Sequence, residues 1–444
     1  MVVFFAELWD WVGTGRGHFY VITFALGALV WLLVVTVGRQ YQPFTGSYDG
    51  TVSVIVPVVA EEPDLFDELL RRIVAQHPRE IIVVINGPRN LELEAVCSRQ
   101  EMPVETLWTA QPGKRNALKL GIEHATGDIV ALVDSDTFWM PDTMVELTRP
   151  FAESTVGGVT THQTIRDPRR TVWTRYADWL ELIRFSYNLR AQSALGQIGT
   201  LPGRTIAFRR TLIAEYLPEF VSEKFMGIHK EISDDRCMTT YVLQAGYQTV
   251  YQSTSVVLTD APTTFRMFFR QQYRWANGGQ YNTIRTAKWM MKNSKPLAAM
   301  TLFPLVGVYL FAGALIAWGA VAVVDDEGRG SLPLLVRLPF TALLLAILGS
   351  WAITTLIRYF RVFRASPYHL LWLAPWTLFG LFLMAPLRVW AFARMTSDAG
   401  WGTRKGAYTG GGQRAPLRYR LLPPFSVFAA FGLSIVAATA LEFK

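Results

Sequence analysis

Hydrophobic positions fall in long unbroken blocks at the two ends of the chain and in short periodic runs between them. Tyr20 to Gly38 is a 19-residue stretch without a charge, long enough to span a hydrocarbon core of roughly 30 Å. No basic n-region or small-residue cleavage site accompanies it, so the pattern predicts a retained anchor rather than a cleaved signal. The short, mildly amphipathic segment Met1 to Val12 reads as a helix lying on a membrane surface. From Leu297 onward the chain is apolar again, in blocks at about 297–324, 332–357, 368–393 and 421–441. Residues 40 to 296 differ, with charges throughout and glycine and proline as punctuation.

Within that middle stretch the periodicity switches repeatedly between strand and helix. Val52 to Val58 is β-branched and apolar and predicts a buried strand. A helical pattern runs from Asp64 to Gln76, and a second strand, Ile81 to Ile85, ends in the turn signal Asn86-Gly87-Pro88. A helix from about Leu91, a short strand near Val104 to Leu107 and a helix from Gly113 to Ala125 follow. Asp128 to Val133 predicts another strand, delivering Asp134 and Asp136 at its end, with a helix start after them. Alternation of this kind implies an α/β domain with a mostly parallel sheet. Ligands of such sheets sit beyond the carboxyl ends of the strands, where Asn86, Asp134 and Asp136 all fall.

Composition sharpens this division. With 51% hydrophobic residues in 444 and a mean hydropathy of +0.22, the chain is too apolar for an ordinary soluble protein. The formal charge of +8 does not point to nucleic acid, because the basic residues gather beside the apolar blocks. Arg358, Arg361 and Arg364 follow the second C-terminal block, whereas Asp325, Asp326 and Glu327 lie between the first two. By the positive-inside tendency these two blocks form a hairpin with its acidic tip outside. Basic residues flank both ends of the third block, and Pro367, Pro375 and Pro386 interrupt it, so it reads as re-entrant or interfacial. That path keeps Trp401-Gly402-Thr403-Arg404 on the cytosolic face. Cys97 and Cys237 form neither a disulfide framework nor a metal-ligand spacing.

Four short motifs carry the chemistry. Asp134-x-Asp136 places two carboxylates on one side of an extended backbone, a pair suited to a hard divalent cation that bridges phosphate oxygens. Lys114 and Arg115 open a helix after Gly113, where the helix N-terminus and a cationic side chain both attract a diphosphate. Ser233-Asp234-Asp235-Arg236 starts another helix; adjacent acids there serve either as cap and first-turn charge or as a general base for a poorly nucleophilic hydroxyl. In Gln271-Gln272-Tyr273-Arg274-Trp275, arginine can neutralise a leaving diphosphate and tryptophan can stack on a sugar face. The same pair also suits an amphipathic helix anchored at a membrane surface.

In this order the motifs resemble those of membrane-embedded family 2 glycosyltransferases, the hyaluronan, chitin and cellulose synthases, and Asp234-Asp235-Arg236 looks more like the hyaluronan and chitin branch. The resemblance extends over nearly the whole chain. It implies a GT-A-like α/β domain on the cytosolic side, inserted between N-terminal and C-terminal transmembrane helices of a multi-pass plasma-membrane protein. The segments would be an anchor at 1–39, the transferase domain at 40–276, and interfacial and transmembrane helices at 277–444 with a gating segment around 395–420. It implies that Asp134 and Asp136 hold Mg²⁺ or Mn²⁺ with the nucleotide diphosphate, that Lys114 corresponds to the family's lysine, and that Asp235 is the catalytic base beside Asp234. It further implies that Gln271, Arg274 and Trp275 line the acceptor and diphosphate site, and that Trp401, Thr403 and Arg404 close over the nucleotide.

The chain departs from the family at Ile85-Asn86-Gly87, where acids usually contact uracil; Asn86 would hydrogen-bond the base instead. In Leu201-Pro202-Gly203-Arg204, Arg204 either reads a carboxylated or polar acceptor or pairs locally. The implied partners are a UDP-sugar donor, a growing polysaccharide acceptor and membrane lipids, and the implied reaction is an inverting, processive transfer with export of the polymer. Two other readings stand beside it: a single transfer onto a membrane lipid, and a non-catalytic export subunit with a decayed transferase domain.

Overall fold

The computed structural model describes residues 18–324, 352–396 and 415–442. It divides into two compact units, one of Val34–Leu297 with Met395–Tyr419, the other of Met1–Leu33, Ala298–Arg394 and Arg420–Lys444.

The first unit is built on strands β1 (Val52–Val58), β2 (Glu80–Asn86), β3 (Val104–Thr109), β4 (Ile129–Val133), β5 (Thr137–Trp139), β6 (Val156–Ile165), β7 (Thr205–Arg209) and β10 (Gln248–Thr259), with a separate two-stranded pair of β8 (Lys224–Phe225) and β9 (Ile228–His229). The eight form one sheet in the order β3-β2-β1-β4-β7-β6-β10-β5. Neighbours β3, β2, β1 and β4 are parallel, as are β6 and β10, while β7 and β5 run against them. The sheet is thus mostly parallel, as the strand–helix alternation predicts. Helices of eight or more residues in this unit are α1 (Pro63–Val74), α2 (Leu91–Ser98), α3 (Lys114–His124), α4 (Val172–Ile183), α5 (Asp234–Gln244) and α6 (Phe265–Asn293).

Every residue of β1 is buried, because the strand is central and covered on both faces. Alternation sends Val54, Val56 and Val58 to one core with Phe66, Leu69 and Ile73 of α1, and Ile55 to the other with Ala117, Leu118 and Ile122 of α3. Pro57 is tolerated in this central strand because the β4 ladder stops at Ile55–Leu132 while the β2 ladder continues; its missing N–H falls where one side is already unpaired. That early stop opens a gap at the carboxyl ends of β1 and β4. The site lies there.

One expectation changes. The segment after Asp136 is not a helix start but β5, paired antiparallel with the end of β10. Thr137, Phe138 and Trp139 are all buried, and their β-branched and aromatic side chains favour a strand. Helix α6 continues through residue 276 without interruption, and the change of compact unit comes at Leu297/Ala298.

In the second unit, helices are formed by His18–Gly38, Lys295–Val324 and Leu417–Glu442, each reaching to or slightly past the unit's edges. Among the described residues one helical run, Pro367–Ala393, is long and apolar enough by length and composition to cross a bilayer, with a mean hydropathy of 1.8. It passes from a 3-10 turn through α-helix to a π segment at Phe379–Met384 and back to α-helix. Its prolines mark changes of helical type within a continuous run.

Candidate active site

The gap beyond β1 and β4 is lined by Pro57, Leu132, Asp134, Lys114, Gly203, Asp234, Asp235 and Met238. Asp134 follows β4 directly. Its N–H donates to the Arg204 carbonyl at 2.9 Å, and its carbonyl accepts the Thr137 N–H at 3.0 Å. The Asp-Ser-Asp motif therefore occupies a tight turn rather than the extended backbone its spacing suggests. Ser135 Oγ donates to Glu61 Oε1 at 2.7 Å, while Glu61 Oε2 accepts the Val59 N–H at 2.7 Å. Glu61 so ties the turn to the loop after β1. Asp136 is half-buried in the same turn.

Lys114 opens α3 and bridges two motifs far apart in sequence. Its Nζ lies 2.7 Å from Asp134 Oδ1 and 2.8 Å from Asp234 Oδ2. Burial would lower the Lys114 pKa, but the two carboxylates outweigh it and hold the ammonium above its ordinary value. Likewise, burial would raise Asp234, and the Lys114 ammonium overrides it, keeping Asp234 below the usual carboxylate range.

Arg115, expected to help hold a diphosphate, points the other way and is a correction. A helix turns about 100° per residue, so the residue after a cleft-facing lysine faces the core. Arg115 is fully buried, paired with Glu223 at 2.6 Å, and donates to the carbonyls of Phe220 at 2.7 Å and Ile232 at 3.0 Å. Its role is to hold the segment leading into α5.

Asp234 and Asp235 begin α5 after Ser233, whose φ of 65° and ψ of 43° put a non-glycine residue in the left-handed region. Such strain persists only where the surroundings enforce it, and it clusters at functional sites. Here the enforcing contact is α6, which passes Ser233 at Gly278 so closely that a Cβ there would meet the serine Cβ at 2.9 Å. Arg236 fastens the two helices, donating to Gly279 O at 2.8 Å and to Thr283 Oγ1 at 3.2 Å. Asp235 keeps one oxygen on the Arg236 N–H at 2.8 Å. Burial, then the adjacent Asp234 charge, pushes its carboxyl above the ordinary range.

Gly203 presses on Asp235 from the opposite side. A Cβ on Gly203 would stand 2.9 Å from Asp235 Cβ and 3.3 Å from Oδ2. The loop cannot retreat readily, because Pro202 O accepts from Thr160 Oγ1 and Gln163 Nε2 and Arg204 O holds Asp134 N. Gly203→Ala is therefore expected to displace the Asp235 carboxylate and lower turnover about tenfold to a hundredfold, with little change in the melting curve. A wild-type rate in steady-state assays would show that the loop gives way instead.

Arg204 itself pairs locally: Nη1 lies 3.1 Å from Glu181 Oε1, and the same carboxylate holds Arg184 at 3.0 Å. Both guanidiniums stand over the Trp275 ring, Arg184 at 5.3 Å and Arg204 at 5.7 Å from its centroid. Gln271, Arg274 and Trp275 are half-buried on α6, and the Gln271 Oε1 has no hydrogen-bond partner among the described residues.

Asn86, expected to hydrogen-bond a base, holds the loop before α3: Nδ2 donates to Gln111 O at 2.6 Å, and Oδ1 accepts the Gly113 N–H at 3.1 Å. Trp401, Thr403 and Arg404 lie outside the described residues.

Three contributors escaped the sequence reading. Glu61 belongs to no carboxylate motif. Gly203 was visible only as part of Leu-Pro-Gly-Arg, and Glu231, buried against Gly113, precedes the acidic motif without spacing to mark it. A glycine beside a proline before a charged residue was the one usable signal.

The family model for glycosyltransferase like family 2 matches residues 49–278, just over half of the chain. The hyaluronan synthase of Streptococcus pyogenes serotype M1 is 28% identical over 391 residues, covering 85% of this chain and 89% of that protein. An N-acetylglucosaminyltransferase of Rhizobium meliloti (strain 1021) is 29% identical over 378 residues, covering 83% and 85%. Among solved structures, the mannosyltransferase PcManGT from Pyrobaculum calidifontis, in complex with GDP-Man and Mn²⁺, aligns with a TM-score of 0.56 and 21% identity over 85% of this chain and 98% of its own, a likeness of fold. Together with the acidic turn, the bridging lysine and the Asp-Asp helix start gathered at the switch point of a mostly parallel sheet, these findings place the chain in the glycosyltransferase like family 2, as a glycosyltransferase on a GT-A-like α/β fold.

Proposed function

We propose that this glycosyltransferase is processive and inverting, extending a hyaluronan- or chitin-like polysaccharide from UDP-sugar donors at a membrane and passing the product across it. The observation that carries the reading is Lys114, whose ammonium draws the Asp134 turn and the Asp234-Asp235 helix start into one cleft. The curated relatives described above favour a hexosamine-containing polymer.

In this reading Asp235 removes the proton from an acceptor hydroxyl, the freed oxygen forms a bond to the anomeric carbon, and the bond to the diphosphate breaks with its electron pair. A carboxyl raised by burial and by Asp234 is a stronger base than a solvated one, and general-base assistance contributes typically about 10²–10⁴ in rate. Lys114 and Arg274 supply positive charge for the departing diphosphate.

Asp134 and Asp136 would hold a divalent cation. Both donors are hard oxygens, and no third His, Cys, Asp or Glu completes a metal cluster with them among the described residues. The remaining positions would fall to phosphate oxygens and water, the arrangement Mg²⁺ and Mn²⁺ favour. When bound, the cation would neutralise charge on the leaving group. Helices His18–Gly38, Lys295–Val324 and Leu417–Glu442 and the run Pro367–Ala393 would frame the membrane passage, with the transferase domain on the cytosolic side.

The test is purified full-length protein in detergent or nanodiscs with Mn²⁺, given UDP-GlcNAc, UDP-GlcA and UDP-Glc singly and in pairs. UDP release with a high-molecular-weight product is the expected result, and the donors required name the polymer. Release of UDP with only one sugar added to a lipid would replace the processive reading with single transfer.

A further inference from the structure

The structure points to a function for Asn86 that the resemblance does not contain: we propose that it is a positioning residue for Lys114, acting on the diphosphate end of the donor rather than on its base. This rests on the donor-binding role of Lys114 proposed above.

Asn86 ends β2, and its side chain is buried. The two ends of its carboxamide make opposite demands on one loop. Nδ2 gives a proton to Gln111 O at 2.6 Å, and Oδ1 takes the Gly113 N–H at 3.1 Å. These partners fix which end is oxygen, since a carbonyl cannot donate and an N–H cannot accept. Only a carboxamide satisfies both. A carboxylate, the group the family pattern predicts here, would meet the Gln111 carbonyl with a second acceptor and leave that carbonyl without a donor.

The loop so clasped leads straight into α3. Gly113 has a φ of 113°, which L side chains rarely adopt, and its open side is filled by the Glu231 carboxylate, 2.7 Å from where a Cβ would stand. Glu231 is itself held by His229 at 2.6 Å. The loop is thus gripped by Asn86 from the sheet and by Glu231 from the segment before α5. The next residue is Lys114, which must reach Asp134 and Asp234 at once. A shift of this loop moves the ammonium off one of them. Both ends of the Asn86 carboxamide thus hold the loop that presents Lys114.

The experiment titrates wild type, Asn86→Asp, Asn86→Ala, Lys114→Met and the double variant Asn86→Asp/Lys114→Met, all full-length, with UDP, GDP and inorganic pyrophosphate in the presence of Mn²⁺. In Asn86→Asp, affinity for all three is expected to fall by a common factor of roughly ten to a hundred, the worth of a hydrogen bond between the Lys114 ammonium and a phosphate oxygen. The ratio of UDP to GDP affinity stays at its wild-type value. Adding Asn86→Asp to Lys114→Met should change nothing further, because residues acting through one another are not additive; this comparison holds even if Asn86→Ala folds poorly. Loss of UDP affinity alone, with pyrophosphate binding intact, would overturn the proposal and return Asn86 to the base. Unchanged affinities, or a further loss in the double variant, would also overturn it. If wild type binds none of the three while melting cooperatively, the donor-binding reading fails and takes this one with it.

Discussion

Asp235→Asn is expected to lower sugar transfer about 10²–10⁴-fold, the usual contribution of a general base, while nucleotide binding survives. Asparagine matches aspartate in shape and keeps the contact with Gly203 and an oxygen for the Arg236 N–H, so the cleft need not rearrange. Stability should hold or rise slightly, because the native carboxylate is buried beside Asp234 and its ionisation is disfavoured there. The same environment fixes the direction of the pH profile. The base works only when deprotonated, and its pKa is raised; activity should therefore fall on the acid side at a pH above the ordinary carboxylate value of about 4, and recover as pH rises through that limb. Donor consumption across pH, with melting curves at each point, reads both effects. Transfer at more than a tenth of the wild-type rate in Asp235→Asn would remove the residue from the base role. An acid limb at or below the ordinary carboxylate range would contradict the burial seen around it.

Much of the central unit was legible because its signals are local. β1, β2 and β4 are short β-branched runs buried on both faces, and α1, α3 and α5 begin at recognisable proline, glycine and acidic positions. The carboxylates and Lys114 were found by motif, and they do converge. What the sequence could not supply was direction and contact. Lys114 and Arg115 are adjacent and alike in charge, yet one reaches the cleft and the other a buried glutamate 108 positions later in sequence. Asn86 offers the same donors and acceptor whether it meets a base or a loop; only the fold shows Gln111 and Gly113 already on them. β5 was read as a helix start because its pairing partner, β10, lies more than a hundred residues away, and strand identity depends on that partner.

The adjacent cations give the second large effect. Arg115→Met is expected to destabilise the protein by about 3–5 kcal/mol, from the loss of buried hydrogen bonds made by a charged group, worth about 1.5–3 kcal/mol each. The guanidinium is fully buried, meets Glu223 at 2.6 Å, two backbone carbonyls and the Phe220 ring at 4.9 Å. Methionine fills part of that volume but supplies no donor. Arg285 remains on Glu223 at 2.6 Å, which keeps the carboxylate from being stranded without any counter-charge, while the Phe220 carbonyl loses its guanidinium donor and the Ile232 carbonyl keeps only the Tyr281 hydroxyl, at 2.9 Å. Ile232 immediately precedes Ser233, so the loosened segment is the one that carries the strained residue and the base. Since a folded protein is stable by only about 5–15 kcal/mol, the variant should unfold at much lower denaturant than wild type. Lys114→Met, one residue earlier, removes the charge that bridges Asp134 and Asp234 in the cleft, and its loss should appear chiefly in donor affinity. Denaturation midpoints and nucleotide titrations on both variants separate the two roles. A stable Arg115→Met protein that has lost only its affinity for nucleotide would restore Arg115 to the diphosphate site.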